Sequence, residues 1–190
     1  MIIQKLVSEI EILLKCVHED TLVWFDKPLE LRAYKPQNGG WSIDEILEHI
    51  TLTNHFLLII INKGTDKALR NIHNLSIENE LNNYTFHRDR LDEVGLHKSF
   101  PWMRPEHMEP TGRASHEELK QLLKEQLATC LNSLHLLRNG EGLLYKTTMS
   151  VNNLGKIDVY EYIYFLAQHQ KRHLIQMQKN EIAFSQIVLT

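Results

Sequence analysis

The sequence predicts an all-α protein, an antiparallel four-helix bundle forming a single domain over residues 1–190. Three observations carry that expectation. Apolar residues recur at helical spacing in four separate stretches, two of those stretches open with a complete capping signal, and no convincing apolar–polar alternation marks a sheet. Four stripes, each too apolar to leave in water, are satisfied by packing face to face around one core.

The first stripe is Ile3, Leu6, Val7, Ile10, Leu13, Leu14 and Val17, a helix that continues through Trp24 and stops before Pro28 and the "KPQNGG" stretch. "GGWSIDEILEHI" then announces a second helix. Ser42 serves as N-cap, Glu45 completes a capping box at N3, and Trp41 faces Ile46 as a hydrophobic staple. Its inward residues are Ile46, His49, Ile50, Thr53, Phe56, Leu57 and Ile60, and Gly64 is the expected C-cap.

From about Asn71 to Ala114 the chain is too polar and too rich in proline for a long helix, with Pro101, Pro105 and Pro110 within it. It is expected to be a long loop covering one end of the bundle. Ser115 and Glu118 form a second capping box, opening a third helix with Leu119, Leu122, Leu123, Leu127, Cys130, Leu131, Leu134 and Leu137 on one face. "NGEG" at 139–142 ends it. A fourth helix starts at or near Asp158 and carries Val159, Tyr162, Ile163, Leu166, His169, His173 and Met177, with Lys171, Arg172 and Lys179 on its outer side.

Composition removes several classes of function. A net charge of -3 and a pI near 6.4 do not provide a basic surface for nucleic acid. The apolar runs fall far short of the ~20 residues a membrane helix requires, and "MIIQKLVSEIEILLK" reads as helix and not as a leader, so a cytoplasmic location is expected. Cys16 and Cys130, without a CxxC pair, read as buried small hydrophobes and not as a disulfide or thiolate site.

The histidines carry the chemical signal. There are 11 of them, and His169 and His173 stand four apart on the buried stripe of the last helix. A spacing of four brings a side chain back to within about 40° of its starting direction, so the two rings share a face. His49 occupies a comparable inward position on the second helix. Each ring alone is best read as a core histidine bonded to a carbonyl or hydroxyl. Three in one layer would need several donors and acceptors satisfied together, at roughly 1–3 kcal/mol for each failure. One divalent cation satisfies all three acceptors at once.

Other arrangements fit less well. "HQKRH" has Gln170 where an HExxH protease needs its glutamate, and the ExxH pairs of di-iron bundles are missing, so a mononuclear centre is expected. Imidazole ligation suits zinc, nickel, copper or iron, and of these zinc or nickel is the expected ion. Glu45, one turn before His49, is a candidate proton relay, although its capping role already accounts for it. Gln176, one turn after His173, is the other candidate catalytic group, and reads equally well as a polar residue near the end of the core. In the long loop, Arg88, Arg90, Arg104 and Arg113 could clamp a substrate carboxylate and Trp102 could wall a pocket. His55 is rotated about 120° from His49 and falls outside the site. His18, His73, His87, His97, His107, His116 and His135 read as surface or loop residues, with His107 the strongest exception.

"WSIDEILEHI" resembles the W-S-x-x-E-x-x-x-H helix of the DinB-like (YfiT-like) metalloprotein superfamily, and "FLAQHQKRHLIQMQK" is similar to its terminal H-x-x-x-H helix. The resemblance extends over nearly the whole chain, through "PTGRASHEEL" and "LGKID". It implies a four-helix bundle with a divalent metal held by three histidines, here His49, His169 and His173. It also implies a small-molecule substrate and a range of activities, from thiol S-transfer with low-molecular-weight thiols and thiol-dependent isomerisation to hydrolysis. A non-catalytic, stress-associated metal-binding protein is the alternative. No nucleic-acid or membrane partner is expected, and a homodimer through exposed helix faces is compatible with the bundle.

Overall fold

A computed structural model describes residues 3–37, 39–100 and 105–188. Seven α-helices are assigned among them: α1 (Ile3–Phe25), α2 (Leu29–Ala33), α3 (Ile43–Asn71), α4 (Ile77–Asn82), α5 (Arg88–Val94), α6 (His116–Leu136) and α7 (Val159–Val188). The four long ones match the four apolar stripes. They pack as a closed ring in which α1 touches α7 and α6, and α3 touches α6 and α7. Leu6, Ile10, Leu14, Ile43, Ile46, Leu47, Ile50, Ile61, Leu123, Tyr160 and Phe165 fill the centre and are fully buried. None of these helices is long and apolar enough to cross a membrane.

Side-chain pairings fix the directions. Asn180 donates to the Trp41 carbonyl at 2.8 Å, while Gly64 lies against Val159, so α3 and α7 run antiparallel. The pair α1 and α6 is antiparallel as well, with Lys120 on Asp26 at 3.0 Å and Lys124 near His18. The remaining neighbours, α3 with α6 and α1 with α7, run parallel, unlike the fully antiparallel bundle expected from the sequence. On α3 and α6, His116 meets Asp44 and Gln126 donates to the Thr51 carbonyl at 2.9 Å; on α1 and α7, Lys27 meets Glu181 and Gln170 donates to Thr21 at 2.7 Å.

Parallel neighbours joined in sequence need a connection as long as the bundle, which explains the segment from 72 to 115. It is not one loop, as the sequence suggested, because it contains α4 and α5. After α4 it climbs along α7: His87 meets Glu161, Arg88 meets Tyr164, Asp92 accepts from Tyr164 and Gln168, and Arg172 donates to the Leu96 carbonyl. It then crosses the end of the bundle where α3 and α6 begin.

Both capping boxes are present, at Ser42 with Glu45 and at Ser115 with Glu118. A third, unforeseen one opens α7. Asp158 accepts from the Glu161 amide at 3.1 Å and Glu161 accepts from the Asp158 amide at 3.1 Å. Here both carboxyls are buried.

Several expectations need correction. Gly64 does not end its helix: α3 continues to Asn71, its stripe extended by Thr65 and Ala68, and the missing Cβ lets Val159 approach to 3.0 Å of where it would stand. A small antiparallel hairpin, β1 (Lys146–Met149) with β2 (Gly155–Asp158), precedes α7, pairing Lys146 with Asp158 and Met149 with Gly155. Strands of four residues are too short for alternation to stand out, and their turn uses left-handed backbone at Asn152, Asn153 and Gly155. Cys16 is exposed and only Cys130 is buried. Leu122 faces outward, 43% exposed.

Candidate metal centre

α3 and α7 are the two longest helices, and the three histidines lie on the faces they turn to each other. His49, His169 and His173 are all buried, and each offers one nitrogen within 4.8 Å of those of the other two. The ring centroids of His49 lie 5.2 Å from His169 and 4.8 Å from His173, and those of His169 and His173 are 4.5 Å apart. Spacing on the sequence therefore brought together the residues it singled out.

Their neighbours orient them. The His49 Nδ1 donates to the Met108 carbonyl at 2.7 Å, which makes Nε2 the acceptor nitrogen. Thr53 Oγ1 lies 3.5 Å from that Nε2. The His173 Nδ1 donates to the Gln176 side-chain oxygen at 3.0 Å, so its Nε2 is likewise an acceptor, and it stands 3.1 Å from the Nε2 of His169. Burial holds His169 and His173 well below the ordinary imidazole pKa, and the neighbouring imidazoles and Arg172 push them lower still. Three buried imidazoles whose nitrogens converge form a donor set suited to a divalent cation.

Above the triad opens a cleft of about 680 Å3 whose lining includes Trp41, Thr53, His97, Phe100, Met108 and Gln176. Trp41 covers His49, with ring centroids 4.6 Å apart. No aspartate or glutamate lines the cleft among the described residues. Met108 belongs to a short 3-10 turn, Glu106–Met108, and the residues that follow that turn are anchored by Glu48. The buried Glu48 carboxylate accepts from the Thr111 amide at 3.0 Å, the Thr111 hydroxyl at 2.8 Å and the Gly112 amide at 2.7 Å.

Other predicted site residues fall elsewhere. Gln176 lines the cleft, well inside α7. Glu45 does not line it: its carboxylate takes the Ser42 amide and Lys35. Burial alone would raise its pKa, but the bonds from Lys35 and Ser42 outweigh this and lower it. Arg88 pairs with Glu9, Arg90 donates to the Asn153 carbonyl, and Arg113 is exposed away from the cleft. Trp102 and Arg104 lie outside the described residues. His55 stays out of the site, as its rotation required. His107 is exposed and packs edge-on to Phe56.

Three histidines expected at the surface have structural partners or burial: His18 is buried, His87 bonds Glu161, and His116 lies between Arg32 and Asp44. His97, also expected at the surface, lines the cleft. So does Arg172, which had been placed on the outer side of its helix. The crossover packs along that side of α7 and converts it into a cleft wall. Glu48, Met108, His97 and Phe100 had no sequence signal of their own, because each reaches the site through contacts between distant segments.

No curated protein and no solved structure matches the sequence. A family model, described as the DinB superfamily, matches residues 17–177 and so spans the stretch from the first helix to the end of the histidine pair. The chain therefore belongs to the DinB superfamily.

Proposed function

We propose that this protein is a metal-dependent enzyme acting on an electrophilic small molecule, with His49, His169 and His173 holding zinc or nickel. One observation carries the reading: three buried imidazoles from two helices converge at the floor of an open cleft. A cation bound there supplies Lewis acidity, lowering the pKa of a coordinated water or low-molecular-weight thiol. The chain's own groups supply orientation. Met108 fixes the His49 tautomer, Gln176 fixes that of His173, and Trp41 and Phe100 provide apolar walls that keep water from a substrate.

With no carboxylate in the described lining, neither Glu45 nor another acid is placed as a general base. That favours a nucleophile needing no protein base, and a thiol, already close to ionising at neutral pH, suits this better than unactivated water. The same observation favours a second reading, a non-catalytic metal-binding protein.

Elemental analysis of untagged protein that has never met a nickel column tests the metal. About one transition ion per chain, lost in His169→Ala, is expected; an ion-free preparation that takes up neither zinc nor nickel would end the proposal. A panel of thiols with electrophiles, run with and without chelator, then separates the two readings. Chelator-sensitive conjugation supports the enzyme, and silence across the panel supports the binding protein.

A further inference from the structure

The cleft has a second lobe, of about 430 Å3, reached past Gly39, Gly40, His97, Lys98 and Gln176, which line both, and bounded beyond them by Lys179 and Asn180. Charge is distributed very unevenly here. The chain has 24 acidic against 21 basic side chains, yet Lys98, Arg172 and Lys179 edge the two lobes and no acid does among the described residues. Neither Lys98 nor Lys179 lies within ion-pair distance of a carboxylate among those residues.

The cluster comes from two elements held in register. On α7, Arg172, Gln176 and Lys179 follow one another at one-turn spacing on the face beside the histidine pair. Opposite them, the turn after α5 is pinned by Arg172, which donates to the Leu96 carbonyl and to Ser99 Oγ and lies over the Phe100 ring. Ser99 also donates to the carbonyls of Glu93 and Leu96, at 2.6 and 2.9 Å. In this turn Lys98 adopts a left-handed backbone, φ 64°, uncommon for a lysine and held there by the bonds on either side.

The three cations act on a common point. His97 has its pKa lowered, first by burial and then by Lys179, Arg172 and Lys98 together. Its Nδ1 is buried without a bonding partner. A concave wall with excess positive charge and no carboxylate is complementary to an anion.

We propose that the molecule entering this cleft carries a carboxylate, bound in the outer lobe by Lys98 and Lys179 with Arg172 and His97 beside them, while its other end reaches the histidine triad. This inference rests on the metal-dependent reading above and names the class of small molecule it would use. Lys98 and Lys179 are binding residues in this account, without a part in bond making. Because both ammonium groups are solvent-exposed and screened, the discrimination they give is modest, roughly tenfold and not thousandfold.

Calorimetric titration of cobalt(II)-loaded protein with 3-mercaptopropionate and its neutral counterpart 3-mercaptopropionamide tests the inference. The acid is expected to bind about tenfold more tightly at low salt, with the advantage shrinking as ionic strength rises. Combined Lys98→Asn and Lys179→Gln should bring the two affinities close together, asparagine being tolerant of the left-handed backbone. Lys63→Gln, the same kind of charge loss at an exposed site far from the cleft, should preserve the preference. Equal affinities in the unaltered protein, or a preference surviving the double substitution, would overturn the inference. Cobalt content, measured first, reports separately on the triad. If cobalt does not bind, the metal reading fails alone, and glutarate against glutaramide on the metal-free protein, followed through the His97 ring resonances, decides the present inference by the same criterion.

Discussion

The Nδ1–H of His49 points at the carbonyl of Met108, 2.7 Å away and 59 residues later in the chain, and this bond determines which nitrogen faces the triad. Met108 is kept there by Glu48, which takes three hydrogen bonds from Thr111 and Gly112 on the turn that follows. Glu48→Gln should leave the helices intact but set an amide N–H₂ against the Gly112 amide. A loss of about tenfold in metal affinity is expected, with about 1–3 kcal/mol of stability. Competition against a chromophoric chelator and a urea midpoint measure the two. Unchanged metal affinity would show that the turn does not position His49.

Asp158 is wholly buried at the start of α7. Burial, and then the Glu161 charge, raise its pKa to about 7. An acid with a raised folded-state pKa binds more protons when folded, so its contribution to stability is full below its unfolded value and is lost as pH rises toward 7. Asp158→Asn retains the oxygen that caps Glu161 and removes the charge. The variant should be more stable than the parent at pH 8, with the gap closing toward pH 5, in urea unfolding at fixed ionic strength. A gap independent of pH would exclude the carboxyl as its source.

His169 and His173 give the opposite sign. Their folded-state pKa values are depressed chiefly by burial, so the metal-free protein should be fully stabilised above about pH 6.5, the unfolded value, and lose stability as pH falls below it. Each ring contributes up to about 1.4 kcal/mol per pH unit over that range. Urea titrations between pH 7 and 5 in the Asp158→Asn background measure the slope, to which His18 and His97 also contribute, and His173→Gln should flatten it. No change in slope would mean the ring is already protonated in the fold.

Away from the triad, Gly142 lies against the fully buried Tyr160, whose hydroxyl accepts from the Gly142 amide and donates to the Leu137 carbonyl. A Cβ on residue 142 would stand 2.7 Å from the ring. Gly142→Ala is therefore expected to cost roughly 1–3 kcal/mol by overpacking, without altering metal stoichiometry. Thermal unfolding together with elemental analysis tests both halves of the expectation.

The parts of this molecule legible in the sequence are those specified by local chemistry. The Ser42 and Ser115 boxes set helix starts by bonds spanning three residues, and the spacing of four in His169 and His173 sets a shared face whatever the rest of the chain does. Gly64 misled because glycine ends helices and also admits close neighbours, and only the fold shows Val159 against it. The crossover was harder still. Its polar, proline-bearing sequence signals irregularity, but its course depends on bonds to α7 from residues such as Asp92 and Leu96, which no local pattern reveals. Glu48 was hidden for the same reason, its partners lying 63 and 64 residues away.

That crossover divides the labour around the triad. The three imidazoles stand on continuous helical backbone, whereas part of the chamber roof is contributed by chain tethered at a few points, with Arg172 gripping one side and Glu48 the other. Whatever enters the cleft meets this roof before it meets the triad, so the roof and not the bundle's interior should decide what is admitted.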